Sequence, residues 1–214
     1  SIVLSKVTNI PKFVTDDIEK NVADGKHYRD HMILSRSVYA ARKIEAACIS
    51  KKIPYVVFGG TTLMRSAHVR DVVSALRILA NFRDELAWMR YLMLWQGVGE
   101  VSASKIIEKM LGYASLGECI DAVKSAKLKD HAAHELLQKI CTLEKRPDAA
   151  IDIIVSELDG IMARKHENWD ARKKDFTALK IVAKQADSIS TFITEYILDP
   201  VAELSNVLEK REDN

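Results

Sequence analysis

Apolar residues at helical spacing are the feature that most constrains this chain, and they continue from Thr61 almost to the end. The stretch HVRDVVSALRILANF places Val69, Val72 and Leu76 along one face of a helix. The same spacing recurs in the sequence that follows, without the β-rich runs that mark strands. Only eight glycines and four prolines occur in 214 residues, so few positions force a helix to stop. The sequence therefore predicts a mainly α fold.

The first sixty residues carry a different pattern. FVTDDIEKNVADGK predicts a helix that ends at Gly25, where a left-handed cap is expected. HMILSRS (31–37) and IPYVVFGG (53–60) are short apolar runs that predict strands, and VYAARKIEAACISKK between them predicts a helix. We therefore expect a small α/β fragment over 1–60 that leads into a helical domain over 61–214.

Composition narrows the class of protein. A formal net charge of +2 excludes a globally basic surface, so any nucleic-acid site must be local. No apolar run is long enough to span a bilayer and no signal peptide is recognisable, so we expect a cytoplasmic protein without a membrane partner. Cys48, Cys119 and Cys141 are far apart and form neither a metal motif nor a disulfide framework.

A glycine-rich corner joins two predicted helices in YLMLWQGVGEVSASKIIEKML. The pattern Gly97-Val98-Gly99 between amphipathic helices is typical of a helix-hairpin-helix, in which the valine anchors the turn and the glycines let a partner approach the backbone. N–H groups of the turn and of the next helical turn, which contains Ser102, then face outward at the positive end of the helix dipole. With Lys105 on the same helix, this arrangement predicts a phosphate site with little base preference.

Simpler explanations of the corner remain open at this point. Gly97 can serve only as the C-cap of the first helix, and Gly99 can serve only to relieve a clash. Glu100 also places a negative charge beside the expected phosphate. The geometry of the corner is therefore a firmer expectation than DNA contact.

Two stretches together resemble one protein family. ILSRSVYAARKIEAACISKKIPYVVFGG, residues 33–60, is similar to the segment of UvrD/Rep/PcrA-type superfamily 1 DNA helicases written ILYRSNAQSRxLEExLxxxxIPYRIYGG. GVGEVSASKII then matches the GIGxxT corner of the family's inserted 2B domain. The resemblance implies that residues 1–60 belong to the second RecA-like motor subdomain and residues 61–214 to a 2B-type domain.

The resemblance also implies roles for individual residues. It places three residues beside single-stranded DNA, two at a hinge and five at duplex DNA: Arg36, Arg42 and Tyr55; Gly59 and Gly60; Gly97, Val98, Gly99, Ser102 and Lys105. The family's Asn is replaced by Val38, its aromatic pair by Leu63-Met64, and the Glu of its EIKD motif by His68, although Asp71 keeps the Asp. Direct polar DNA contacts are not expected at the replaced positions.

The sequence lacks the motifs of an ATPase. No GxxxxGK[ST] occurs, so there is no loop to cradle nucleotide phosphates and no catalytic residue is assigned. The expectation is a piece of a longer helicase in which other parts bind ATP and Mg²⁺, while this piece needs no cofactor. No metal site is expected either, because the pair His131 and His134 with Glu135 lacks a further ligand.

The predicted function is that of a piece of an ATP-dependent 3′–5′ DNA helicase that binds duplex or junction DNA and regulates unwinding. Expected partners are a single-strand/duplex junction, the remaining motor subdomains and repair or replication proteins. Two alternatives stay open. One is a protein-interaction or autoinhibitory module with little DNA binding, and the other is a stand-alone helix-hairpin-helix DNA-repair protein.

Overall fold

The computed structural model describes residues 9–126 and 132–198, and within these ranges the regular elements are all helical. The prediction of a mainly α fold is confirmed. A 3₁₀ turn lies at Tyr28–Asp30, and a π-helical turn at Ile193–Leu198 continues the last helix. The α-helices are α1 (Ile10–Ala23), α2 (Val38–Ser50), α3 (Ala67–Ala80), α4 (Glu85–Leu92), α5 (Glu100–Met110), α6 (Leu116–Ser125), α7 (Ala132–Cys141), α8 (Pro147–Glu157), α9 (Asp159–Lys165), α10 (Trp169–Lys173), α11 (Asp175–Ala183) and α12 (Ile189–Phe192).

Local chemistry explains where several helices begin and end. Ser37 and Asp84 each cap the helix that follows, accepting a hydrogen bond from a backbone N–H three residues on. Pro147 is the first residue of α8, where its missing N–H leaves no helical bond unmade. Gly25 follows α1 with a φ of +95°, the left-handed conformation expected there.

The two strand predictions are wrong. Residues 31–37 and 53–60 form neither strand nor helix, and the described residues contain no backbone ladder. A strand is stable only when a neighbouring strand pairs with its N–H and C=O groups, and neither segment has such a neighbour within those ranges. Several of their apolar side chains consequently face solvent, with Met32 84%, Leu34 88% and Phe58 84% exposed.

One hydrophobic core extends from α2 to the π-helical turn that follows α12. Trp88, Tyr91 and Phe192 are among its largest fully buried side chains, and Ala46 and Ile49 of α2 belong to it as well. A smaller cluster joins α1, α2 and the segment after α2 through Ile18, Ile44, Cys48 and Ile53. The helix α2 lies along α11, so contacts cross residue 60. The division into 1–60 and 61–214 stays a prediction.

Candidate nucleic-acid interface

The turn between α4 and α5 is anchored from inside and open outside. Leu94, Trp95 and Val98 are buried, and the Val98 N–H donates to the Trp95 carbonyl over 3.2 Å. Gly97 and Gly99 on either side of the valine are exposed. The apolar residues fix the turn in the core, and its glycine backbone therefore faces solvent.

The two glycines differ in backbone conformation. Gly97 has a φ of +82°, a conformation that side-chain-bearing residues rarely adopt. Gly99 has an ordinary φ of −97° and ψ of 176°, and a methyl group there would meet no atom within 4 Å. Gly97 is therefore needed for the turn, whereas Gly99 leaves the backbone beside α5 uncovered.

The first turn of α5 presents N–H groups without a side-chain cap. Gly99 is the N-cap residue and offers no side chain, and the helical bonding begins with the Ala103 N–H, which donates to the Gly99 carbonyl over 2.9 Å. Glu100, Val101 and Ser102 ahead of it are exposed. These amides precede the helical ladder and lie at the positive end of the helix dipole, so this turn can accept an anion.

Charged side chains around the turn include lysines that attract a phosphate and a glutamate that repels it. Lys105 and Lys109 are exposed on α5, about one and a half and two and a half turns beyond its first residue. Glu100, at the first position of the helix, is exposed as well. Its carboxylate interacts favourably with the positive end of the helix dipole. An incoming phosphate must displace or tolerate this carboxylate.

The residues that the resemblance places beside single-stranded DNA do not lie together on a surface. Arg36 is exposed ahead of α2, but Arg42 is buried, with Nη1 2.7 Å from Oε2 of Glu45 and Nη2 donating to Oγ of Ser66 over 3.0 Å. Tyr55 is half-buried and donates its hydroxyl to Oε1 of Glu45 over 2.8 Å. The structure thus gathers Arg42 and Tyr55 around Glu45 as a structural network.

Burial shapes the ionisation of groups in this network. Burial raises the pKa of the Cys48 thiol to about 11, and the Glu45 carboxylate adds to the effect. Burial and then the same carboxylate also raise the pKa of the Tyr55 hydroxyl. Both groups are therefore neutral in the folded protein at neutral pH.

Asp71 on α3 is a second buried hub, and sequence reasoning did not find its partners. Its carboxylate accepts from Arg90 of α4 at 2.6 Å and lies 2.9 Å from Nζ of Lys165 and 3.0 Å from Nε2 of His166. In the sequence, an aspartate within the apolar helical stretch HVRDVVSAL indicates a buried carboxylate. Such a buried charge requires cationic partners, although the sequence does not say which ones.

Gly59 has a φ of +77° and both Gly59 and Gly60 are exposed, while their role as a hinge stays a prediction. No group of three His, Cys, Asp or Glu residues able to hold a metal occurs in the described part of the chain. His134 is buried, and His131 lies outside the described residues. The sequence contains no GxxxxGK[ST], and the assignment of ATP and Mg²⁺ to other parts of a longer protein stays a prediction.

Within residues 9–126 and 132–198, no helix combines the length and the apolar character needed to cross a membrane.

Comparison with known proteins gives the family. The model of the UvrD-like helicase C-terminal domain matches residues 3–213. Proteins named ATP-dependent DNA helicase PcrA are 32% identical in Staphylococcus aureus and 30% identical in Staphylococcus epidermidis. Each alignment covers 96 residues, 44% of this chain and 13% of the relative, so the chain matches a small part of those proteins. The chain belongs to the UvrD-like helicase C-terminal domain family.

Proposed function

We propose that this chain binds duplex DNA beside a single-strand junction, through the backbone N–H groups at the start of α5, as part of an ATP-dependent DNA helicase. The observation that carries the proposal is the exposed, uncapped first helical turn at residues 99–102, reached through a left-handed Gly97. Val98 holds this turn in the core, so the donors are positioned before DNA arrives.

The geometry favours phosphate over bases. Backbone N–H groups and a helix dipole attract an anion but distinguish no base edge, so binding would carry little sequence preference. Lys105, one turn further along α5, adds a charge that salt screens. Each neutralised phosphate contributes about −0.9 to the slope of log affinity against log salt concentration.

The remainder of the helicase cycle belongs to other parts of a longer protein in this proposal. Such parts would bind ATP and Mg²⁺ and pull one DNA strand, while this piece would hold the duplex. The family match and the relatives' name, ATP-dependent DNA helicase, support this assignment, and the 13% coverage of those relatives leaves room for a motor. Gly59 and Gly60 would then act as a hinge for residues 61–214, and movement about it would have to separate α2 from α11, which pack together.

The test compares two variants, one with a negative charge added at the corner and one with the same charge added at the far end of α5. Gly99→Asp places a carboxylate at the N-cap, where it accepts from the exposed amides and competes with phosphate. Gly112→Asp is the matched control, since a side chain there also meets no atom within 4 Å. Fluorescence anisotropy of a labelled duplex with a 3′ tail would be recorded for both variants and the unchanged chain at several salt concentrations.

We expect Gly99→Asp to weaken DNA binding at least tenfold while its melting temperature stays equal or rises, because the new side chain caps α5. Gly112→Asp should bind within about twofold of the unchanged chain, since the added charge lies beyond a Debye length of about 8 Å. Equal affinities for the two variants would contradict the proposal.

A protein-docking role is the second candidate, and one observation favours it. Apolar side chains on α4, just after it and at the start of α5 are exposed, with Leu86 76%, Met93 45% and Val101 71% accessible. Such residues are typical of protein contacts rather than of phosphate contacts. Absence of DNA binding by the unchanged chain at low salt would favour this candidate.

A further inference from the structure

We propose that Arg90 and Lys165, held side by side by the buried carboxylate of Asp71, form a second phosphate contact for the DNA bound at the corner. The inference rests on the proposed function and names an additional surface for it. The two cations come from α4 and from the end of α9, and only the folded chain brings them together.

The carboxylate of Asp71 faces inward while both cations reach the surface. The Asp71 side chain is 1% exposed, whereas the side chains of Arg90 and Lys165 are 32% and 44% exposed. Oδ1 of Asp71 lies 2.6 Å from Nη1 of Arg90, and Oδ2 lies 2.9 Å from Nζ of Lys165. Solvent therefore meets the positive groups of this cluster and not the negative one.

The charges of the cluster do not cancel. Arg90 and Lys165 contribute two positive charges and Asp71 contributes one negative charge, which leaves +1 before any contribution from His166. A single cation is enough to pair with a buried carboxylate. The second, half-exposed cation therefore remains available to an external anion.

The cluster suits a phosphate because it has hydrogen-bond donors to spare and because its cationic side chains are already held in place. Asp71 accepts from Nη1 of Arg90, so other guanidinium N–H groups are left for a second acceptor. Arginine forms paired hydrogen bonds with phosphate oxygens, and a lysine beside it adds a point charge. Because Asp71 already restrains both side chains, less conformational entropy is lost when an anion binds.

The cluster is close enough to the corner to share one DNA backbone. Arg90 precedes Gly97 by seven residues and lies in the last turn of α4. Only the residues up to Leu92 are helical, so the seven-residue separation bounds the distance between the two at about 25 Å, the reach of a fully extended chain. One DNA strand carries a phosphate about every 3.4 Å of helix axis, so both contacts can fall on one strand within about seven nucleotides of each other.

Lys165→Gln tests the inference without removing the support of Asp71, since Arg90 and His166 remain on its carboxylate. Lys139→Gln is the matched control, because Lys139 is 50% exposed and pairs with a single carboxylate, that of Glu157, at 2.7 Å. The measurement is anisotropy of the 3′-tailed duplex across a salt series, with the circular dichroism melting curve of each variant recorded beside it.

The expected result is a salt slope about 0.9 smaller in magnitude for Lys165→Gln, together with a several-fold loss of affinity at low salt. Lys139→Gln should keep the slope of the unchanged chain. Equal slopes for the two variants would overturn the second contact, even if Gly99→Asp abolishes binding. If Gly99→Asp binds normally while Lys165→Gln loses slope, the corner is excluded and the cluster stands as a DNA contact by itself.

Discussion

Arg42 on α2 and Asp175 on α11 form a buried ion pair across the predicted domain division, with Nε of the arginine 3.4 Å from Oδ2 of the aspartate. The same Oδ2 lies 3.1 Å from Nε2 of His68 on α3. Arg42 also pairs with Glu45, so α2, α3 and α11 meet in one polar network beneath the surface. Motion of residues 1–60 about Gly59 and Gly60 would have to separate this network.

Removing Asp175 should destabilise the protein. Asp175→Ala removes one buried partner from Arg42 and from His68, and since Arg42 keeps Glu45, the loss of unfolding free energy should be about 1–3 kcal/mol. Asp152→Ala is the control, because that carboxylate is 62% exposed and its pair with Lys180 should contribute less than about 1 kcal/mol. Urea unfolding followed by circular dichroism measures both. Similar small losses would mean that the network does not hold α2 to α11.

Substitutions at the two corner glycines should change stability in opposite directions. Gly97→Ala forces a side-chain-bearing residue to a φ of +82° and should lower the unfolding free energy by about 1–2 kcal/mol. Gly99→Ser supplies the missing N-cap acceptor of α5 at a permitted φ and should raise it by a few tenths of a kcal/mol. Thermal unfolding of Gly97→Ala and Gly99→Ser checks both predictions. A stable Gly97→Ala would show that the left-handed turn is not required.

Stability should fall as the pH rises above 9. Burial raises the pKa of the Cys48 thiol from 9.0 to about 11, so between these values the unfolded chain releases this proton before the folded one does. Its contribution is fully present below pH 9 and is lost as the pH approaches 11. Urea unfolding at pH 8, 9 and 10 should show a steeper decline for the unchanged chain than for Cys48→Ala. The pKa of the Tyr55 hydroxyl is also raised, so Tyr55 lowers stability at high pH equally in the unchanged chain and in Cys48→Ala. Parallel declines would contradict the account.

Local chemistry made the helices and the corner predictable. Apolar spacing, the capping side chains of Ser37 and Asp84, and the proline at the start of α8 all act over a few residues, so the sequence contains them in full. Gly97-Val98-Gly99 is likewise a short-range pattern, although its assignment to a helix-hairpin-helix stays a prediction. The glycine pair around a buried valine could therefore be recognised before the structure was known.

Long-range partners could not be predicted in the same way. The runs at 31–37 and 53–60 have strand composition, but pairing depends on neighbours that the described residues do not supply. Arg42 has the sequence context of a DNA contact, and its buried place is set by Asp175, more than a hundred residues away. The partners of Asp71 lie on α4 and at the end of α9, so only the tertiary fold reveals the cation cluster.

The most direct test of the central proposal observes the amides of α5 themselves. Backbone ¹H–¹⁵N spectra of the chain would be recorded while a duplex with a 3′ tail is added at low salt. The account predicts that the signals of Glu100, Val101 and Ser102 shift together with increasing DNA, and that raising the salt concentration reverses the shift. DNA binding that leaves these three amides unchanged while signals elsewhere move would contradict the placement of the phosphate at the start of α5.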